Sequence, residues 1–264
     1  MNRDAKKKLD RFFDALRNAP TALLLLDYDG TMAGFRLDRF KARPWAGVRE
    51  LLGQIQRQGR TRVAVITGRP AEEIPPMLGL DPQPEVWGLH GAERLYPNGR
   101  RVLEQSPPAV RRALADLRAR LNRDALGGLF EDKPNAAVMH WRGRAPQQAR
   151  LIEKKTRALF EPLAKLDGLR LLRFESGLEL RAGRDKGGAV EAIITEATKG
   201  APVTYLGDDL TDEAAFRAVN EAKGPHVSVL MRREPRKTDA DVWLRPPGEM
   251  RWFLQRWIEA RSSF

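Results

Sequence analysis

The chain has 264 residues, 42% of them hydrophobic and 31% charged, which excludes a disordered chain and predicts one large packed domain or a domain carrying a sizeable insertion. It contains no cysteine, so a disulfide framework, thiolate metal ligands and a thiol nucleophile are all excluded, and a reducing cytoplasm is the expected setting. The formal net charge is +12, but the basic residues are spread along the chain without interleaved aromatics, which favours solvated surface or steering of small anions over a dedicated nucleic-acid site.

Residues 6–18 space Leu9, Phe12, Phe13 and Leu16 as one helical stripe that Pro20 terminates. Ala22–Leu26 then reads as a strand apolar on both faces, the pattern of a central parallel strand covered by helices. A helix is predicted at Trp45–Arg57, a second buried strand in "RVAVITG" and a third in "EVWGLHG". This alternation predicts an open α/β sheet whose ligands gather beyond the carboxyl ends of its strands. From about Glu104 the texture changes: helices in "SPPAVRRALADLRARL" and "APQQARLIEKKTRALFEPLAKL" flank strands in "NAAVMHWRG", "LRLLRF" and "GLELRAG". The α/β texture returns with a helix at Lys186–Thr198, the strand "PVTYLGDD", a helix from near Thr211, the strand "VSVLM" and a terminal Trp-rich helix. The expected organisation is a Rossmann-like core of residues 1–103 and 180–264 interrupted by an α+β cap of residues 104–179. The leucine run is too short for a bilayer and the first residues lack the apolar stretch of a signal peptide, so a soluble cytoplasmic protein with no membrane partner is expected. The three histidines lie far apart, which excludes a zinc enzyme of the HExxH type.

Four short stretches fall at the ends of predicted core elements: Asp27-Tyr28-Asp29-Gly30-Thr31, Thr67-Gly68-Arg69, Asp185-Lys186-Gly187-Gly188 and Gly207-Asp208-Asp209-Leu210-Thr211-Asp212-Glu213. Singly, each reads equally as a solvated loop, a helix cap or a turn. Together they form a chemical set. Residues two apart on an extended strand point to one side, so Asp27 and Asp29 can address one reacting centre. The hard carboxylates of Asp27 and Asp208 suit magnesium. That ion with Lys186 can neutralise a phosphate dianion, while the Thr67 hydroxyl donates to it and Gly30 and Gly68 allow close backbone approach. One carboxylate can serve as nucleophile and the other in proton transfer.

In this order the four motifs resemble the haloacid dehalogenase-like phosphatases. The resemblance implies that Asp27 is the nucleophile and Asp29 the acid/base, that Thr67 and Lys186 bind phosphate, and that Mg2+ is held by Asp27, the Asp29 carbonyl and Asp208, with Asp209 and Asp212 supporting. Further stretches, "LHGAE", "EDK", "HWR", "GLELR" and "GDDLTDEAAF", resemble the trehalose-6-phosphate phosphatase family, and with the end of the chain they extend the similarity from about Leu23 to Trp257. That likeness implies a small sugar phosphate as partner, gripped by Glu131, Lys133 and Glu179, with His140 and Arg142 as helpers; Arg69 and His90 are further substrate-binding candidates. His140 reads as structural and not catalytic, having no evident orienting partner. Asp185 stands where the family commonly has a neutral residue, and Leu89 where a polar one is common. Sucrose-6-phosphate, mannosyl-3-phosphoglycerate and glucosylglycerol phosphate therefore stay open as substrates, as do a phosphosugar mutase and a nucleic-acid-associated role.

Overall fold

In a computed structural model, which describes residues 3–36, 38–123, 127–174 and 176–262, the leucine run becomes the centre of an eight-stranded sheet. Two compact units are present: Leu103–Gly183 forms one, and the residues before and after it form the other.

The larger unit begins with α1 (Arg3–Asn18), β1 (Ala22–Leu26), α2 (Val48–Arg57), β2 (Thr61–Ile66), the short α3 (Ile74–Leu78), β3 (Glu85–Gly88), β4 (Glu93–Leu95) and β5 (Arg101–Leu103), whose last residue opens the smaller unit. It resumes with α6 (Lys186–Glu196), β10 (Val203–Gly207), α7 (Glu213–Asn220), β11 (His226–Met231), β12 (Val242–Leu244) and α8 (Gly248–Arg261). The strand order is β12-β11-β10-β1-β2-β3-β4-β5. Every pairing from β12 to β3 is parallel, and β4 turns back antiparallel against β3. The sheet is thus mixed at one edge, where two three-residue strands too short for a periodic signal extend the expected parallel core.

All five residues of β1 are buried, and the period of two divides them. Leu24 and Leu26 pack with Leu9, Phe13, Leu52, Phe253 and Trp257 from α1, α2 and α8. Leu23 and Leu25 pack with Val190, Ile193, Phe216 and Val219 from α6 and α7. Each such leucine contributes about 2 kcal/mol relative to exposure. A strand anchored on both faces cannot slip by one residue without driving its neighbours out of register, so the residues just after Leu26 are rigidly placed. The helix expected from Trp45 starts only at Val48, because Gly47 sits at φ +85° and Trp45 turns instead to donate its indole N–H to the Thr31 carbonyl at 3.2 Å.

The smaller unit contains α4 (Pro108–Arg123), β6 (Phe130–Lys133), β7 (Ala136–His140), α5 (Pro146–Phe160), β8 (Leu169–Phe174) and β9 (Gly177–Ala182). Its antiparallel sheet has the order β6-β7-β9-β8. Val110, Leu114, Leu117, Leu121, Ile152 and Phe160 cover the face that presents Ala137, Met139, Leu178 and Leu180. Alternation therefore puts Glu131, Lys133, Val138, Glu179 and Arg181 together on the opposite face. β9 stays paired as far as Ala182, so the unit closes at Gly183 and not at residue 179 as the sequence suggested.

Candidate active site

Three adjacent parallel strands deliver the acidic and hydroxyl groups to one edge. Leu26 pairs with Leu206 of β10 and with Val65 of β2, so Asp27, Thr67 and Asp208 all emerge just beyond the carboxyl ends of their strands. The Asp27 N–H is held by the Leu206 carbonyl at 2.8 Å, and the Thr67 N–H by the Trp87 carbonyl at 2.8 Å. Asp27, Thr67, Lys186 and Asp208 are all buried.

Lys186, at the first turn of α6, donates to Asp27 Oδ1 at 2.8 Å and to Asp212 Oδ1 at 2.7 Å. The Thr31 hydroxyl donates to the other Asp27 oxygen at 3.2 Å. Asp212 is fully engaged: Oδ1 also accepts from the Tyr205 hydroxyl at 2.5 Å, and Oδ2 accepts the N–H groups of Asp208 and Asp209, each at 2.9 Å. Asp212 fixes the loop that carries Asp208 and holds the ammonium next to Asp27. Ligand atoms of Asp27, Asp208 and Asp212 lie within 4.8 Å of one another. With Asp212 saturated, Asp27 and Asp208 are the carboxylates left to face a cation.

Burial sets the electrostatics. It pushes the Asp27 carboxyl up to about 7, against the pull of Lys186. Burial first, then the charge of Asp27, raises Asp208 well above the usual carboxylate range. Burial opposes the charge on Lys186, but Asp212 and Asp27 outweigh it and hold the ammonium above its ordinary value. Two acidic groups raised in this way mark a place short of positive charge. A hard divalent cation with oxygen ligands fits that deficit. Gly30 fits it too: at φ +83°, a Cβ there would stand 2.0 Å from Asp208 Oδ2, in space the carboxylate occupies.

Asp29 is bound by Arg69 through both carboxylate oxygens, at 2.6 and 2.7 Å, and Arg69 Nη1 also reaches Glu73 at 3.4 Å. Arg69, expected to meet substrate, here occupies the second aspartate of the motif. The Thr67 hydroxyl accepts the Arg69 N–H at 3.2 Å, which leaves its own proton free to donate. His90 lies buried against Gly68, with Nε2 2.7 Å from the position a Cβ at Gly68 would take. Asp185 is the N-cap of α6, accepting the Gly188 N–H at 2.9 Å. An aspartate caps as well as a neutral asparagine would, and its charge suits the helix N-terminus.

The other expected residues lie in the smaller unit. Lys133 Nζ stands 3.9 Å from Glu179 Oε1, and Arg181 Nη1 is 3.6 Å from Glu179 Oε2. Glu131 meets the ring of His140, Oε2 to Nε2 at 2.7 Å. His140 therefore has a carboxylate partner that sequence separation concealed. Arg142 Nε reaches the Ser176 hydroxyl at 3.4 Å, at an exposed position. Sequence reasoning assigned no role to Tyr205, Thr31 or Glu73, although Thr31 lies within the Asp27–Thr31 stretch. Thr31 and Glu73 each stand four residues from the group they hold and Tyr205 seven, but neither spacing is distinctive without the structure.

The sheet order and the strand-end carboxylates define a class. A haloacid dehalogenase-like hydrolase from Bacteroides thetaiotaomicron superposes with a TM-score of 0.64 at 20% identity, covering 89% of this chain and 99% of that one, and the fold is of that type. The C-terminal domain of C. albicans trehalose-6-phosphate phosphatase has the same fold, with a TM-score of 0.80 at 19% identity over 95% of this chain and 96% of that one. A sequence profile of the trehalose-phosphatase family matches residues 25–245, and the chain belongs to that family. A trehalose-phosphate phosphatase from Mycobacterium marinum is 31% identical over 260 residues, 92% of this chain; the chain spans 63% of that relative's length. Among the described residues no helix is long and apolar enough to cross a membrane.

Proposed function

We propose that the chain is a magnesium-dependent phosphatase that converts trehalose 6-phosphate to trehalose and inorganic phosphate through an aspartyl-phosphate on Asp27. The observation that carries the reading is the buried set of Asp27, Lys186 and Asp208, with Lys186 Nζ 2.8 Å from Asp27 Oδ1. Family membership and the strand-end geometry support it. The lack of cysteine supports a cytoplasmic setting.

Asp27 and Asp208, with the Asp29 carbonyl, would hold Mg2+, which when bound offsets the charge of the carboxylates and of the incoming phosphate. Lys186, the Thr67 hydroxyl and the Gly68 amide bind the phosphate oxygens. An Asp27 oxygen attacks phosphorus as the bond to the sugar oxygen breaks, and Asp29 supplies the proton that oxygen takes up. Asp29 then takes a proton from water, the water oxygen attacks phosphorus, and the acyl-phosphate bond breaks to restore Asp27. Since Arg69 engages both Asp29 oxygens, the guanidinium must release one of them for these proton transfers. Glu131, Lys133 and Glu179 would read sugar hydroxyls, carboxylates accepting and the ammonium donating.

A screen of phosphate release over disaccharide and monosaccharide phosphates, with magnesium and with EDTA, tests this reading. The expected result is metal-dependent release with trehalose 6-phosphate preferred. Preference for another sugar phosphate would move the substrate within the same chemistry, and no release from any would refute the reading.

A further inference from the structure

His90, a substrate-binding candidate by sequence, lies in a stretch, Leu89–Glu93, whose contacts run elsewhere. Leu89, His90 and Gly91 have φ of +49°, +59° and +107°, and the first two are the non-glycine residues with positive φ among those described. Side chains rarely accept that backbone, and they keep it only where the surroundings over-determine it. Here the surroundings are the phosphate-binding elements themselves. The Leu89 N–H donates to the Arg69 carbonyl and the His90 N–H to the Thr67 carbonyl, both at 2.8 Å. The His90 ring fills the space beside Gly68, with Nε2 and Cε1 at 2.7 and 2.8 Å from a Cβ placed there.

The turn's other contacts point the same way. A Cβ on Gly91 would meet the Asp185 carbonyl at 3.0 Å and Ala189 Cβ at 2.9 Å, so the turn packs onto the start of α6, next to Lys186. Two residues later Glu93, fully buried, accepts the Ala71 N–H through Oε2 at 2.7 Å and pairs with Arg101 through its other oxygen. The backbone leaving Thr67-Gly68-Arg69 is thus tied to the turn at Thr67, Arg69 and Ala71, while the far side of the turn abuts the helix bearing Lys186.

We propose that Leu89–Glu93 is a brace that sets the distance between the two halves of the phosphate site, Thr67–Gly68 on one side and Lys186 on the other. His90 and Glu93 are positioning residues in it, His90 acting through Gly68 and not on the sugar. This rests on the phosphatase reading for its kinetic consequence, although the geometry concerns any bound phosphate. Asparagine enters the left-handed region readily, so His90→Asn removes the far ring atoms while sparing the turn.

The experiment compares wild type, H90N, G68A and the double variant G68A/H90N, with trehalose 6-phosphate, with an aryl phosphate, and by calorimetry with inorganic phosphate and magnesium. H90N is expected to lower turnover of both substrates by the same factor, on the order of tenfold, and to weaken inorganic phosphate binding. G68A should fall further, and G68A/H90N should recover above G68A because the occupied space has been cleared. Glu93→Gln keeps an acceptor for Ala71 and should stay within a few-fold of wild type, whereas Glu93→Ala should not. A loss in H90N confined to trehalose 6-phosphate, with phosphate binding intact, would overturn the brace and make His90 a sugar contact. A double variant no better than G68A would overturn it as well. If wild type binds phosphate but turns over no sugar phosphate, the phosphatase reading fails while the binding comparison still decides the brace. Wild type that binds no phosphate overturns both.

Discussion

Arg69 grips both carboxylate oxygens of Asp29, Nε to Oδ2 at 2.6 Å and Nη2 to Oδ1 at 2.7 Å. The guanidinium is itself backed by Glu73, which also receives Arg39 at 2.5 and 2.7 Å. A planar fork matched to a carboxylate fixes position as well as charge, and a lysine cannot reproduce it. Arg69→Ala is expected to lower phosphate release by about ten- to a hundredfold through loss of Asp29 orientation, and Arg69→Lys should recover little of it. Steady-state kinetics on variants with unchanged melting curves check this; full activity in Arg69→Lys would show that bidentate geometry is not needed.

Asp212 holds Lys186, Tyr205 and two backbone N–H groups at once. Asp212→Asn leaves Lys186 its pair with Asp27 but removes the charge and puts an amide donor where four donors converge, so it should cost about 3 kcal/mol of stability in urea denaturation and lower turnover as well. Tyr205→Phe removes a single hydrogen bond from the same cluster. It should cost about 1 kcal/mol and leave turnover close to wild type. Equal losses in the two variants would contradict the central place given to Asp212.

Gly30 and Gly99 share a φ of +83°, but only at Gly30 does a Cβ meet an obstacle, the Asp208 carboxylate. Each alanine variant carries the backbone strain, about 1 kcal/mol. Gly30→Ala should in addition abolish or strongly weaken magnesium binding in calorimetry, and Gly99→Ala should not change it. Magnesium affinity unaltered in Gly30→Ala would remove Asp208 from the proposed ligand set.

Glu131 and Glu179 belong to the polar face of the smaller sheet, placed there by register with Val138 between them. Their alanine variants should lose far more turnover on trehalose 6-phosphate than on a small aryl phosphate. Parallel losses on both substrates would assign them to the fold alone.

Much of this was legible in the sequence, and for a physical reason. A strand buried on both faces, such as Leu23–Leu26, announces itself by composition, and carboxylates directly after it can only lie at the sheet edge. The ends of β1, β2 and β10 can therefore be matched from sequence without knowledge of their pairing. The features that stayed hidden depend on tertiary register. The Arg69–Asp29 pair spans 40 residues and the Lys186–Asp27 pair 159, and neither distance carries a periodic signal. His140 looked partnerless because Glu131 reaches it only through the antiparallel pairing of β6 with β7. The strands β4, β5 and β12 have three residues each, too few to display alternation.

The most direct measurement is phosphate release from trehalose 6-phosphate by Asp27→Asn beside wild type, in magnesium. Asparagine preserves the shape of the side chain while removing the nucleophilic oxygen and the buried charge, so the variant should fold. Release at the background level, with a wild-type melting curve, is the result expected if Asp27 carries the phosphoryl group. A folded Asp27→Asn variant that keeps most of its activity would contradict the mechanism at its first step.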